Sequence, residues 1–324
     1  MLGPNGAGLT KKAECISMQQ KLQVAEWTAS GVGLGCRSLC RLAGRPHRSN
    51  PVTLLRRAID SGVTLIDSCA ATSGQAEPLI GAAITSRDTG VMISVGAPSR
   101  SLRRACENSL RRLGLDRIGL YYVSPAASLP IEAVVGEAAE LVAAGKVAHL
   151  GIRNVTAEQL RRANAVHPVA ALVTEYSLLH RQVERELLPL ARGLGMAVIA
   201  CRPLGAGLLT GRITSAEQLA APDPLSPDWY VPSVQRAGVM SRLSIAAAAS
   251  AELDAGISRV ALAWLLAQGD HVIPVPSTGD LVHLEMNLAA AAVRLSPEDL
   301  ARLSARPPSP GDLSPLTADE SAED

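Results

Sequence analysis

Short apolar runs alternate with amphipathic stretches along most of this chain. The runs are 31–36 (GVGLGC), 63–67 (VTLID), 91–95 (VMISV), 118–123 (IGLYYV), 147–152 (VAHLGI), 169–174 (VAALVT), 196–201 (MAVIAC) and 271–275 (HVIPV). Each is short and nearly all apolar, as strands buried on both faces should be. Between them lie stretches with apolar residues at helical spacing, such as NPVTLLRRAIDSG and PIEAVVGEAAELVAAGK. TAEQLRRANAV opens with a T-x-x-Q capping pattern. Eight strands alternating with helices predict an α/β fold, a single-domain (β/α)8 TIM barrel. A doubly wound open sheet is the alternative, and the eightfold count favours the barrel.

Other segments fill in this picture. The arginine pairs 56–57, 103–104, 111–112 and 161–162 fall on predicted helices and read as solvated outer faces. Residues 212–240 follow the seventh run as a long insertion carrying DWYVP, expected to be a loop covering a ligand. Residues 305–324 are Pro-rich and then acidic, and read as a disordered tail. The opening GPNGAGLT spaces two glycines as a P-loop does, but Leu9 stands where that motif needs Lys and no strand precedes Gly3. Residues 1–17 are therefore expected to be a leader or a mis-assigned start outside a barrel spanning 18–304.

Of the 324 residues, 47% are hydrophobic and 19% charged, with a formal net charge of +1. This balance suits a globular protein and argues against nucleic-acid or anionic-membrane partners. No apolar run is long enough to span a membrane, and no signal peptide is evident, so a cytoplasmic location is expected. The six cysteines form no C-x-x-C pair. Cys36, Cys69 and Cys201 lie near strand ends, where small buried thiols are the ordinary reading and a thiol nucleophile or metal site the rarer one. There is no Phe, with only three Trp and four Tyr, so the core must be packed by aliphatic residues.

Four blocks carry a family resemblance: DSGVTLIDSCAATSGQAEPLIGAAI, LGIRNVTAEQLRRA, TEYSLLHRQVERELLPLARGLGMAVIACRPLGAGLLTGRI and VIPVPSTGDLVHLEMNLAAA. Here the chain resembles an aldo-keto reductase, a TIM barrel that in most members binds NADPH across its C-terminal mouth and reduces carbonyls. The resemblance implies a catalytic Asp, Tyr, Lys and His. The Asp is Asp67, but Thr72 stands at the Tyr position, Gly96 at the Lys position and Ser124 at the His position. A phenol is a poor acid near neutrality unless a neighbouring cation shifts it, and an aliphatic hydroxyl is a weaker acid still.

The cofactor positions implied by the resemblance are altered too. The Ser-Asn pair after the fifth strand is Arg153–Asn154, the Gln after the sixth is Val173, and the stacking aromatic and following Ser are Cys201 and Arg202. The pyrophosphate loop is best kept, at Leu204, Gly205 and Gly207. At the adenine end Thr278 and Asn287 remain, but Gly279 replaces an Arg and Asp280 follows, which disfavours a 2′-phosphate. The glycine loop has two readings, retained cofactor binding and barrel packing, and Asn287 reads as structural. No cofactor is expected, with weak NAD(P)H binding left open.

Arg153 and Arg202 fall at strand ends, where buried guanidinium groups need anionic partners. Either one of them replaces the lost Lys as counter-ion of Asp67, or they form a pocket for an anionic ligand, with Trp229 and Tyr230 from the covering loop completing it. Three functions follow. One is a redox-neutral enzyme acting on a small anionic or carbonyl metabolite in a biosynthetic pathway, with Asp67 as acid or base. Another is a non-catalytic binding or regulatory barrel. The third is an NAD(P)H-dependent oxidoreductase with another proton donor, Tyr121, Tyr122 or Tyr230. Each implies a small-molecule ligand and a monomer or homodimer.

Overall fold

The computed structural model describes residues 22–24, 27–40, 49–70, 74–84, 90–97, 101–125, 129–219 and 233–305. The expected leader and acidic tail lie outside the described residues. An antiparallel hairpin, β1 (Leu22–Val24) and β2 (Trp27–Ala29), precedes eight strands. These are β3 (Leu34–Gly35), β4 (Leu65–Asp67), β5 (Met92–Gly96), β6 (Ile118–Val123), β7 (Val147–Arg153), β8 (Val169–Glu175), β9 (Ala197–Cys201) and β10 (Val272–Pro274). Each of them pairs in parallel with its neighbours in sequence order. The sheet closes on itself: Gly33 N–H donates to the Pro274 carbonyl at 2.9 Å and Gly35 N–H to that of Pro276 at 3.0 Å. Ser277 Oγ strengthens this seam by accepting from Ser38 N–H at 2.7 Å and donating to Ser38 Oγ at 3.0 Å. The barrel expected from the eightfold alternation is the fold observed.

Closure creates two apolar layers. Leu65, Met92, Leu120, Tyr122, Ala171, Val173, Ala197, Ile199, Ile273 and Val275 pack inside the barrel, with Ala29 of the hairpin beneath them. A larger core lies between the strands and the surrounding helices. The helices start where the sequence signals them. Asn50 Oδ1 caps α2 (Pro51–Asp60; α1 is the short turn Arg37–Cys40) by accepting from Val52 and Thr53 N–H, with Pro51 in the first turn. Thr156 and Gln159 form a reciprocal capping box on the helix Ala157–Val166.

Two expectations need adjustment. The segment 212–240 is not one loop: residues 212–219 are loop and turn, residues 220–232 lie outside the described residues, and a helix, Ser233–Glu252, begins within it. Its Ala-rich sequence favours helix over loop. Among the arginine pairs, Arg57, Arg103 and Arg162 do form exposed ion pairs, with Glu285, Glu140 and Glu132. Arg112 instead reaches inward, its Nε 2.6 Å from Glu77, whose side chain is 3% exposed and also accepts from Ser109 Oγ. This cluster ties the helix Leu102–Leu113 to the helix Glu77–Ile84.

The EYSLLHR block builds a second cluster. Tyr176 packs edge-on against the buried Trp264, with ring centroids 5.6 Å apart, and the Arg181 guanidinium lies 5.1 Å from the Trp264 ring. Arg181 grips Glu184 with two hydrogen bonds and donates to the Ser304 carbonyl, while Trp264 Nε1 donates to Ser304 Oγ. The motif thus anchors the last helix, Pro297–Ser304, to the barrel.

Candidate active site at the C-terminal mouth of the barrel

Strand alternation decides which residues line the mouth. Leu65, Val173 and Ile199 face the barrel interior. Two residues further along their strands stand Asp67, Glu175 and Cys201, the last inward positions of β4, β8 and β9. Arg153 ends β7 opposite Val173, and Gly96 ends β5 opposite Tyr122. Polar residues therefore replace the aliphatic layer at the end of the barrel where barrel catalysts sit.

Asp67 is the centre of this layer. It is 5% exposed, and its Oδ1 accepts from Ser94 Oγ at 2.8 Å and from Tyr122 Oη at 3.1 Å. Burial pushes its carboxyl above the ordinary range, while these two hydroxyls, the Cys69 N–H and the Arg153 charge pull the other way. Burial, aided by the charge of Asp67, also pushes the Tyr122 phenol far up, so Tyr122 is a fixed donor and not a titrating acid. Its oxygen accepts in turn from Ala70 N–H at 3.1 Å. The phenol thus positions Asp67 and the loop that follows β4.

The space beside Gly96, the position that the family resemblance aligns with its lysine, is closed. A Cβ on Gly96 would lie 2.4 Å from Ala70 Cβ and 2.6 Å from Tyr122 Cε2. The Tyr122 ring fills the space a side chain at 96 would need. Replacing Tyr122 by Phe is expected to lower stability by about 1–2 kcal/mol, because a buried N–H and a buried carboxyl each lose a partner. Thermal melts of the variant check this.

The arginines divide between two acids. Arg202 Nη1 lies 3.6 Å from Glu175 Oε2, with side chains 20% and 16% exposed. Burial raises the Glu175 carboxyl, and Arg202 lowers it. Arg153 acts on Asp67, Tyr122 and Cys201 through its charge. Arg153 thus lends Asp67 a modest positive charge, and Arg202 lies beside Glu175. Glu175 and Ser94 are site residues that sequence reasoning missed. The signal was available, since each stands two residues from an inward-facing position already singled out.

The backbone is strained around the same mouth. Cys69, Asn154 and Arg202 follow β4, β7 and β9 with φ of 63°, 54° and 48°. Left-handed backbone at non-glycine residues costs energy and collects at functional sites. The cysteines remain thiols among the described residues, and burial pushes Cys201 up to about 12 and Cys36 well above its usual value. That disfavours a thiolate nucleophile. No group of His, Cys, Asp and Glu suited to a metal ion occurs among the described residues. Ser124 is half-buried at the end of β6. Thr72, Trp229 and Tyr230 lie outside the described residues.

The implied nicotinamide cofactor meets a divided set of residues. After β9, a turn through Gly205–Thr210 holds Gly205 and Gly207 at φ of 56° and 107°. A Cβ on Gly207 would meet nothing, so this backbone is open to a ligand, as a diphosphate cradle must be. Leu204 and Gly205 pack under it, and a Cβ on Gly205 would strike Leu179. The adenine end fits less well. Asp280 Oδ1 accepts from Val282 N–H at 2.8 Å and His283 N–H at 3.4 Å, so its carboxylate holds the amides that would otherwise face an anion. The Thr278 hydroxyl is bonded to the Asp280 backbone, and Asn287 is buried on the helix Leu281–Leu288. Arg153, Val173 and Cys201 stand at the positions that the family resemblance assigns to nicotinamide contacts.

A family model described as aldo/keto reductase matches residues 31–306. The chain belongs to the aldo-keto reductase family. It is 31% identical over 305 residues to probable aldo-keto reductase 1 of Glycine max, covering 87% of each chain. Among solved structures, an aldo/keto reductase from Klebsiella pneumoniae in complex with NADP and acetate is 26% identical. Its TM-score is 0.72, over 91% of this chain and 99% of that one. The fold alone is shared with the glycerol dehydrogenase of Gluconobacter oxydans, at 23% identity and a TM-score of 0.79 over 91% of this chain and 98% of that one. A further Klebsiella relative is solved with NADPH. Relatives that hold NADP or NADPH give no support to the expectation that this family member lacks a nicotinamide cofactor. No described helix is long and apolar enough to cross a membrane.

Proposed function

We propose that this aldo-keto reductase family member acts on a small anionic or carbonyl metabolite by redox-neutral proton transfer at the C-terminal mouth of its barrel. The carrying observation is the filled space at Gly96. With the Tyr122 ring filling the space beside Gly96, a lysine at that position has no room to tune a phenol for the family's reduction. What remains is a buried carboxyl, Asp67, with a raised proton affinity and a fixed hydrogen-bond frame. Such a group can accept or return a proton in isomerisation, cyclisation or dehydration. Arg153 supplies positive charge for an anion that develops beside it.

Asp67→Asn keeps an oxygen for the Ser94 and Tyr122 hydroxyls and loses the titrating group. A buried carboxyl with a raised pKa costs stability once ionised, so the variant is expected to melt no lower than the parent at pH 7. The difference should shrink as pH falls through the Asp67 pKa. Turnover of any substrate found should fall by more than about 100-fold. The reading is tested first by titrating the protein with NADPH and NADH, followed by Trp fluorescence. NADPH is expected to bind no more tightly than NADH, because Gly279 and Asp280 stand where the family resemblance puts the arginine of the 2′-phosphate. Tighter binding of NADPH, with its consumption on adding carbonyl compounds, overturns the proposal in favour of reduction. That second reading draws on the open turn at Gly207 and the relatives solved with NADP and NADPH.

A further inference from the structure

The Arg202–Glu175 pair differs in kind from the pairs on the outside of the barrel. Both side chains are mostly buried, the contact is loose at 3.6 Å, and Arg202 is held in a left-handed conformation directly after β9. Glu175 is the last inward residue of β8 and lies opposite Cys201. The charged and titratable groups of neighbouring strands are Arg153 from β7, Cys201 and Arg202 from β9, and Asp67 from β4 across the barrel. The Cys201 thiol feels the charges of Asp67, Glu175 and Arg153.

We infer that Arg202 and Glu175 form an anion-gated proton site, in which an oxyanion of the ligand takes the Arg202 guanidinium from Glu175 and the released carboxylate binds a proton. The ligand class is a small metabolite bearing a carboxylate or phosphate. Arg202 can move to such a group because guanidinium exchanges one carboxylate-like partner for another at little geometric cost. Glu175 cannot then stay ionised, since a buried carboxylate without its cation and beside a new anion is strongly disfavoured. Burial already raises Glu175, and Arg202 is the cause that lowers it, so removing Arg202 shifts the carboxyl further up. The proton comes from solvent and returns when the anion leaves. The inference deepens the proposed function by naming the charge of its ligand, and it needs no turnover to be tested.

Sulfate is the probe, because it does not titrate between pH 6 and 8. Calorimetry in two buffers of different ionisation enthalpy reads proton uptake directly. Wild type is expected to take up close to one proton per sulfate bound, with affinity rising by up to about tenfold per unit fall in pH. Glu175→Gln should bind sulfate more tightly than wild type at pH 8, with no uptake and a flat pH profile. Arg202→Gln should lose the binding. Asp67→Asn should keep the uptake, which separates Glu175 from the other buried acid. Binding without proton uptake, uptake unchanged in Glu175→Gln, or no sulfate binding by either wild type or Glu175→Gln overturns the inference. None of these outcomes bears on whether Asp67 transfers a proton, so the two proposals fail separately.

Discussion

Trp264→Ala is expected to destabilise the barrel by about 3–5 kcal/mol, the range for removing a fully buried large aromatic. Three losses combine. The cavity opens between the barrel and the last helix, the Tyr176 ring loses its edge-to-face partner, and Arg181 loses the aromatic face it stacks on. Ser304 Oγ loses its indole donor as well. For a domain of this size the melting temperature should fall by on the order of 10 °C. Trp264→Phe keeps most of the ring and should recover more than half of the loss. A fall of only one or two degrees in Trp264→Ala means that the last helix is held by something other than this cluster.

Putting the family's lysine back is expected to harm the protein. Gly96→Lys places a Cβ within 2.6 Å of both Ala70 Cβ and Tyr122 Cε2. Overpacking of a core costs about 1–3 kcal/mol, and burying an ammonium group there adds to it. The variant should melt lower than the parent and gain no carbonyl-reducing activity. Tyr122→Ala costs stability alone, but in the Gly96→Lys background it should restore part of what was lost. The double-mutant cycle would then show favourable coupling between positions 96 and 122. Additive losses would sink the idea that the Tyr122 ring occupies the lysine's space. The prediction separates two histories of the site: a missing lysine with its pocket waiting, and a pocket repacked around its absence.

The fold was legible because each strand is a short apolar run closed by a turn, and because local signals such as Asn50 and the Thr156–Gln159 box agree with the pattern. Asp67 was legible from the family blocks. Tyr122 was harder. Its inward direction follows from alternation with Leu120, but its approach to Gly96 depends on how β5 and β6 twist together, which no single run encodes. Arg153 was legible as a pocket residue, because Leu150 and Ile152 pack outward and alternation turns residue 153 inward. The residues facing it were not. The pairing of β7 with β8 shifts by one residue between Leu150 and Gly151, which sets Val173 and Glu175 on the inward face while Leu172 packs outward. A one-residue slip of that kind cannot be counted from sequence. The partner of Arg202 escaped for another reason. Glu175 opens EYSLLHR, a block in which Tyr176 and Arg181 anchor the last helix, so its end facing the mouth went unread.

The seam between β3 and β10 carries a consequence for how the chain comes to be folded. Ser38 and Ser277, which clasp it, are 239 residues apart. Contacts of such separation form late, because the intervening chain must first be ordered. On the ribosome, β3 and β9 each present an unpaired parallel edge until residues 272–274 have emerged. Through that interval the growing chain is a sticky open ribbon. Synthesis of the last strand, some 70 residues after β9, is therefore the step at which a chaperone would matter most, whatever the mature barrel goes on to bind.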